Sequence, residues 1–280
     1  MLADYHVHTE FSEDSTYPMA DVVEDAIALG LDEICLTDHV DYGIKHDWDE
    51  PGPMPWRCGA PLSNVDYPRY LARIAELRRA YEGRITLRAG LELGVQTHTV
   101  GRYEALWERV GPELDFAILS IHQVGDLEFW NQAFQAGRTQ QEYNERYYEE
   151  MLEVVRAFDH WSVLGHMDLI VRYDEAGPYP FERVRPLVTQ ILRHVIAANK
   201  GIEVNTSSVR YGLADTTPSR AILALYRELG GRIVTIGSDS HEPGQLGAHI
   251  REAHRTLSEL GFSEWCTFER MEPTFHPLEV

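Results

Sequence analysis

The chain has 280 residues, 44% hydrophobic and 25% charged, the balance of an ordinary globular protein, and it is long enough for one α/β barrel in a single domain over residues 1–280. Forty-five acidic residues against 25 basic ones give a net charge of -20, a field that repels nucleic acid and argues against a nucleic-acid partner. No run approaches the roughly 20 apolar residues of a membrane span and no basic-then-apolar leader opens the sequence; Cys35, Cys58 and Cys266 are far apart and odd in number, so a cytoplasmic protein without disulfides or a membrane partner is expected.

Along the chain, residues 2–7 read as a strand and residues 18–29 as an amphipathic helix stopped by Gly30. A strand over 33–37 follows. Helix 67–81 then leads to strand 85–91, helix 103–110 to strand 116–121, and helix 140–158 to strand 162–165. Helix 181–199 precedes strand 202–204, and helix 219–229, closed by Gly230 and Gly231, precedes strand 233–236. Strands alternating with helices of ten or more residues form βαβ units and a parallel sheet. A last helix over 251–260 and a tail complete the chain, with no eighth strand before Phe268, so the predicted fold is a distorted (β/α)7 barrel. Two long loops, 49–61 with Trp48 and Trp56 beside or within it and 123–138 with Trp130, are lid candidates.

Polar residues mark the strand ends: His6 and His8, Asp38 and His39, Glu92, His122, His166, Asn205, and Asp239 with His241. In a barrel of parallel strands the carboxyl ends converge on one face, so these side chains are expected to meet as a multi-metal site. His6-Val7-His8 turns two imidazoles to one side of a strand, because strand side chains alternate. Asp239-Ser240-His241 repeats that spacing at the last strand. Glu92, between Gly90 and Gly94, can approach closely enough to bridge two cations. A donor set of imidazole and carboxylate without cysteine suits two to three divalent ions such as Zn, Mn or Fe.

These phrases resemble the PHP family, the polymerase and histidinol phosphatase family. The motifs are His6-x-His8, Thr37-Asp38-His39, Gly90-Leu91-Glu92, Ser120-Ile121-His122, Gly165-His166-Met167-Asp168 and Gly237-Ser238-Asp239-Ser240-His241. Val171-Arg172-Tyr173, Glu203-Val204-Asn205-Thr206 followed by Arg210, and the tail over 268–278 look like its monofunctional histidinol-phosphate phosphatase branch. The resemblance implies a PHP-type barrel with a trinuclear centre: His6, His8, Glu92 and Asp239 around one ion, Glu92, His122 and His166 around a second, and Asp14, His39 and His241 around a third. It implies phosphomonoester hydrolysis, in which the cations acidify a water and neutralise phosphoryl oxygens. Arg172 and Arg210 are the implied phosphate-binding residues, since a guanidinium can hold phosphate through two donors. Asp239 and His241 are the candidates for the acid that protonates the leaving group.

Three other readings remain at this stage. Another small phosphorylated metabolite could be the substrate, because the lid loops set selectivity. A polymerase-associated module is disfavoured by the acidity. An amidohydrolase barrel requires a carboxylated lysine at a strand end, and neither Lys45 nor Lys200 ends a predicted strand.

Overall fold

The computed structural model describes residues 1–57 and 59–278; Cys58, one of the cysteines expected to be unpaired, lies outside the described residues. Seven strands, β1 (Ala3–Val7), β2 (Glu33–Leu36), β3 (Thr86–Gly94), β4 (Phe116–Ser120), β5 (Val163–Leu164), β6 (Gly201–Asn205) and β7 (Val234–Gly237), pair in sequence order, all parallel. The short strand His39–Val40 extends β2's path and pairs with β3 so that His39 stands opposite Glu92. Helices α1 (Met19–Leu29), α2 (Tyr67–Ala80), α3 (Val100–Val110), α4 (Gln140–Ala157), α5 (Phe181–Ala197), the short α6 (Ser207–Arg210), α7 (Arg220–Glu228) and α8 (Ile250–Glu259) complete the connections. This is the (β/α)7 barrel expected from the sequence.

The barrel closes between its first and last strands. Val7 bridges Ser240 in parallel, and the His8 amide donates to the Ser240 carbonyl at 2.9 Å. Buried Asp4 adds a side-chain clasp, accepting from the Ser238 amide at 2.8 Å and the Gly247 amide at 2.9 Å. The approach is possible because residue 237 is glycine: a Cβ there would fall 2.3 Å from the Cβ of His6. The result brings His6 and His8 beside Asp239 and His241, which the sequence separates by more than two hundred residues.

The longer helices bury an apolar face, as Val22, Val23 and Ala26 of α1 and Val188, Ile191, Leu192 and Val195 of α5 show. Local signals set the ends: Gly30 closes α1 in a left-handed conformation at φ 73°, and Thr139 with Glu142 forms a capping box at the start of α4. No helix among the described residues is long and apolar enough to cross a membrane.

Two expectations are corrected. No eighth strand is expected before Phe268, yet the tail is an antiparallel hairpin of β8 (Glu264–Glu269) and β9 (Glu272–Pro277). It buries Trp265, Cys266 and Phe268 against the barrel end opposite the site, where the Phe268 amide donates to the Tyr5 hydroxyl at 2.7 Å. Pro273 and Pro277 are tolerated in β9 because it is an edge strand. The second correction is that β3 runs on to Gly94, so Glu92 lies within a strand rather than after one. Its pairing with both β4 and His39–Val40 holds its backbone on each side.

Candidate metal centre

The strand ends deliver their polar side chains to one cleft of about 420 Å³, lined in part by His39, Glu92, His122, His166, Asp239 and His241. Glu92 is the hub. Its Oε1 lies 2.8 Å from His166 Nε2 and 3.0 Å from His122 Nε2, and its Oε2 lies 3.2 Å from His6 Nε2 and 3.5 Å from His8 Nε2. Asp239 Oδ1 faces the same two imidazoles at 3.7 Å and 3.5 Å. Asp14 Oδ2 stands 3.5 Å from His39 Nε2 and 3.4 Å from His241 Nε2.

Ligands about 2.0–2.2 Å from a common ion stand about 3–3.5 Å apart, which is the spacing seen here. The donor atoms fall into groups that could each hold a cation: His6, His8 and Glu92; Glu92, His122 and His166; and His8, His39 and His241. Asp14 reaches the third group from a more exposed position, half-accessible to solvent. A physical mark of fit is that His6 Nε2, His8 Nε2, His39 Nδ1 and Glu92 Oε2 are buried and make no hydrogen bond among the described residues. Buried polar atoms are ordinarily satisfied, and these four point toward one another, as ligands do. The residues therefore fit a multinuclear centre of divalent ions.

The electrostatics agree. Burial by itself would raise the Glu92 carboxyl, but His6, His122 and His39 around it hold it well below the usual carboxylate range. Asp239 is likewise held low against burial by His6, His8, His241 and Arg172. Burial opposes protonation of His6, yet Glu203, Glu92 and Asp239 raise it well above an ordinary imidazole; burial opposes that of His122 too, which Glu92 and Asp41 push up to about 9. His8 goes the other way, held well below its ordinary value by burial and by His241 and His39. Carboxylates concentrated at the cleft floor thus demand cations.

Behind the cluster stand residues to which sequence reasoning gave no role, although Glu203 lies in one of the motifs that carry the resemblance. Glu203 in β6 places Oε1 2.5 Å from His6 Nδ1 and accepts the His166 amide on Oε2 at 2.9 Å. Asp41 Oδ1 lies 2.7 Å from His122 Nδ1. A hydrogen bond to the outer nitrogen fixes which imidazole nitrogen faces a metal. The visible signal for Glu203 was a carboxylate within the apolar run Gly201–Asn205. Asp38 does not join the cluster: it accepts from the Thr9 amide and hydroxyl and from the Ser12 hydroxyl, fixing the loop that carries Asp14.

Arg172 and Arg210 flank the cleft beside Asp239. Arg172 Nη2 donates to Ser207 Oγ at 2.6 Å and lies 3.5 Å from Asp239 Oδ2, while Arg210 Nη2 donates to the Asp239 carbonyl at 2.7 Å. Arg172 stacks 4.0 Å over the Tyr211 ring. Its buried Nε has no hydrogen-bond partner among the described residues, leaving a donor for an anion. Asn205, at the end of β6, does not face the cleft as a ligand but accepts from the Ser207 amide at 3.1 Å and so supports the residue that holds Arg172. Both arginines precede a tyrosine, Tyr173 and Tyr211, and both tyrosines line the cleft; that repeated pair was readable in the sequence.

The two long loops meet at the mouth. Arg57 donates to both carboxylate oxygens of Glu128, at 2.8 and 2.6 Å, and its guanidinium lies 5.3 Å from the Trp130 ring centre.

Comparison with known proteins follows the same line. A family model described as PHP domain matches residues 4–207. The histidinol-phosphatase of Lactococcus lactis subsp. lactis (strain IL1403) is 30% identical over 275 residues, 96% of this chain and 95% of that protein. A probable histidinol-phosphatase of Thermotoga maritima is 26% identical over 265 residues, 93% of each. Among solved structures, the histidinol phosphate phosphatase of Lactococcus lactis complexed with Zn, L-histidinol and phosphate superposes with a TM-score of 0.83 at 29% identity, covering 98% of both chains.

Proposed function

The chain belongs to the PHP family, and from that premise we propose that it is a metal-dependent phosphomonoesterase that hydrolyses L-histidinol phosphate to L-histidinol and phosphate, a step of histidine biosynthesis. The observation that carries this reading is the full-length match to a structure that holds zinc, L-histidinol and phosphate together, on a barrel whose donor groups in this chain fit several cations.

Divalent ions bound by such a centre supply Lewis-acid neutralisation of phosphoryl charge and make water more acidic. The chain's own residues divide the remaining work. His6, His8, Glu92 and Asp239, then Glu92, His122 and His166, then Asp14, His39 and His241 are the proposed ligand sets. Arg172 and Arg210 bind phosphoryl oxygens from the side of Asp239, where charge grows as the ester bond breaks. Asp239, compressed between imidazoles and guanidiniums, remains a carboxylate and serves as a ligand. His241, at the cleft wall, stands with His8 and His39 as a ligand group, so in the metal-loaded protein it is a neutral ligand and not the proton donor to the leaving alkoxide. The net charge of -20 argues against nucleic acid or an anionic membrane as a partner and tolerates a small substrate that carries an ammonium beside its phosphate, and we place the protein in the cytoplasm.

The test is a panel of small phosphomonoesters assayed with enzyme reconstituted with Zn, Mn or Fe. Histidinol phosphate should show a kcat/KM at least about tenfold above p-nitrophenyl phosphate, a difference of roughly 1.4 kcal/mol. Equal values would assign the cleft to another phosphorylated metabolite.

A further inference from the structure

Lys45 is one of two lysines in the chain and is buried beside the metal centre. Its ammonium lies 2.9 Å from Asp41 Oδ2 and 2.5 Å from Glu13 Oε2. Asp41 in turn uses its other oxygen on His122 Nδ1, at 2.7 Å, and its amide donates to Asn64 Oδ1 at 2.9 Å. Room for this carboxylate comes from Gly94, where a Cβ would fall 1.9 Å from Asp41 Oδ1.

Asp41 therefore has two possible uses. From its present place it steadies His122 from behind. Yet it, His39 and His122 offer ligand atoms within 4.8 Å of one another, so a modest movement would make it a ligand. What holds it back is the ammonium, which meets the carboxylate's demand for positive charge on the side away from His122. Stripped of Lys45, Asp41 would be a buried carboxylate whose Oδ2 keeps only His39 Nδ1, 3.9 Å away, an arrangement that proteins relieve by finding another cation. The cations at hand would be those of the centre.

We propose that Lys45 is a positioning residue that keeps Asp41 out of the coordination sphere, so that Asp41 orients His122 instead of competing with His39 and His122 for a metal. This rests on the reading of those histidines as ligands. Lys45 touches neither substrate nor metal in this role; it acts through Asp41.

The experiment loads the full chain with Co(II), whose visible absorption reports the number and type of ligands independently of turnover. Lys45→Met should shift the cobalt bands relative to wild type, and turnover should fall about 10–100-fold, as for loss of a residue supporting a metal ligand. Adding Asp41→Asn to Lys45→Met should return the bands to their wild-type position, because no carboxylate is left to be captured; a merely structural lysine predicts no such reversal. Lys45→Arg should keep the wild-type spectrum. Lys45→Gln removes the same charge with a polar side chain and replaces Lys45→Met if that variant does not fold. A wild-type spectrum in a folded, cobalt-loaded Met or Gln variant overturns the proposal. Wild-type protein that takes up no cobalt overturns the reading of the metal centre itself, and the proposal with it.

Discussion

Arg172 and Asp239 stand 3.5 Å apart, Nη2 to Oδ2, and this contact joins the histidine cage to the guanidinium pair. The other oxygen of Asp239 faces His8 at 3.5 Å, so one carboxylate is shared between the proposed metal and phosphate halves. Its backbone is held at φ 55°, in the left-handed region, which turns the Asp239 carbonyl toward Arg210. A non-glycine residue in that region is sustained only by its surroundings, here donors on both sides.

If the arginines hold phosphoryl oxygens, Arg172→Ala or Arg210→Ala should each cost about 2–4 kcal/mol in kcat/KM, comparable to removing one transition-state donor. Lysine should rescue only part of the loss, since it brings charge without the planar fork. Metal content measured on the same preparations should be unchanged. Full activity in both alanine variants would exclude the arginines from phosphate binding.

Glu92 faces five imidazoles, so Glu92→Gln removes the charge that opposes at least two proposed cations. Turnover should fall by more than about a thousandfold, beyond the loss of about 10²–10³ that follows deletion of a single oxyanion donor. Elemental analysis should show fewer bound metals while circular dichroism stays unchanged. Wild-type turnover in this variant would place the chemistry elsewhere.

The barrel and the cluster were legible because both follow from short-range periodicities. Alternation put His6 and His8 on one side of β1, and the βα repeat required every strand to end on one face. What escaped was set by tertiary contact. Glu203 reads as an isolated acid in a buried run, and only the proximity of β6 to His6 gives it a partner. Asp41 and Lys45 sit in a loop without periodicity, and their roles exist only through His122 and each other. The terminal hairpin was missed because Pro273 and Pro277 argue against a strand unless it is known to be an edge. Glu92 falls just past the end of the expected strand 85–91, and only pairing with β4 and with His39–Val40 shows that β3 runs on to Gly94, which leaves room for Asp41.

Glu203 gives a prediction about support rather than chemistry. Glu203→Ala removes the acceptor from both His6 Nδ1 and the His166 amide, so metal affinity should weaken about 10–100-fold. Competition with a chelator measures this directly. Activity at saturating metal should recover more than affinity does; an affinity equal to wild type would leave Glu203 a bystander.

Metal uptake should release protons and strengthen with pH. Without metals, the surrounding carboxylates raise His6, His39 and His241 against their burial, and His122 to about 9; below those values the imidazoles carry protons that a metal must displace. Apparent affinity should therefore climb from neutral pH toward about 9. Titration calorimetry in buffers of different ionisation enthalpy would count the protons. The same shift fixes the sign for stability of the metal-free protein: His122, raised above its unfolded value near 6.5, stabilises the fold fully below that value and loses its contribution as pH rises through about 9. Metal-free protein should thus melt at lower temperature as pH goes from about 6.5 to 9, while metal-loaded protein, its imidazoles already neutral and engaged, should not share that loss. A metal affinity independent of pH across this window would mean that the imidazoles are not the ligands.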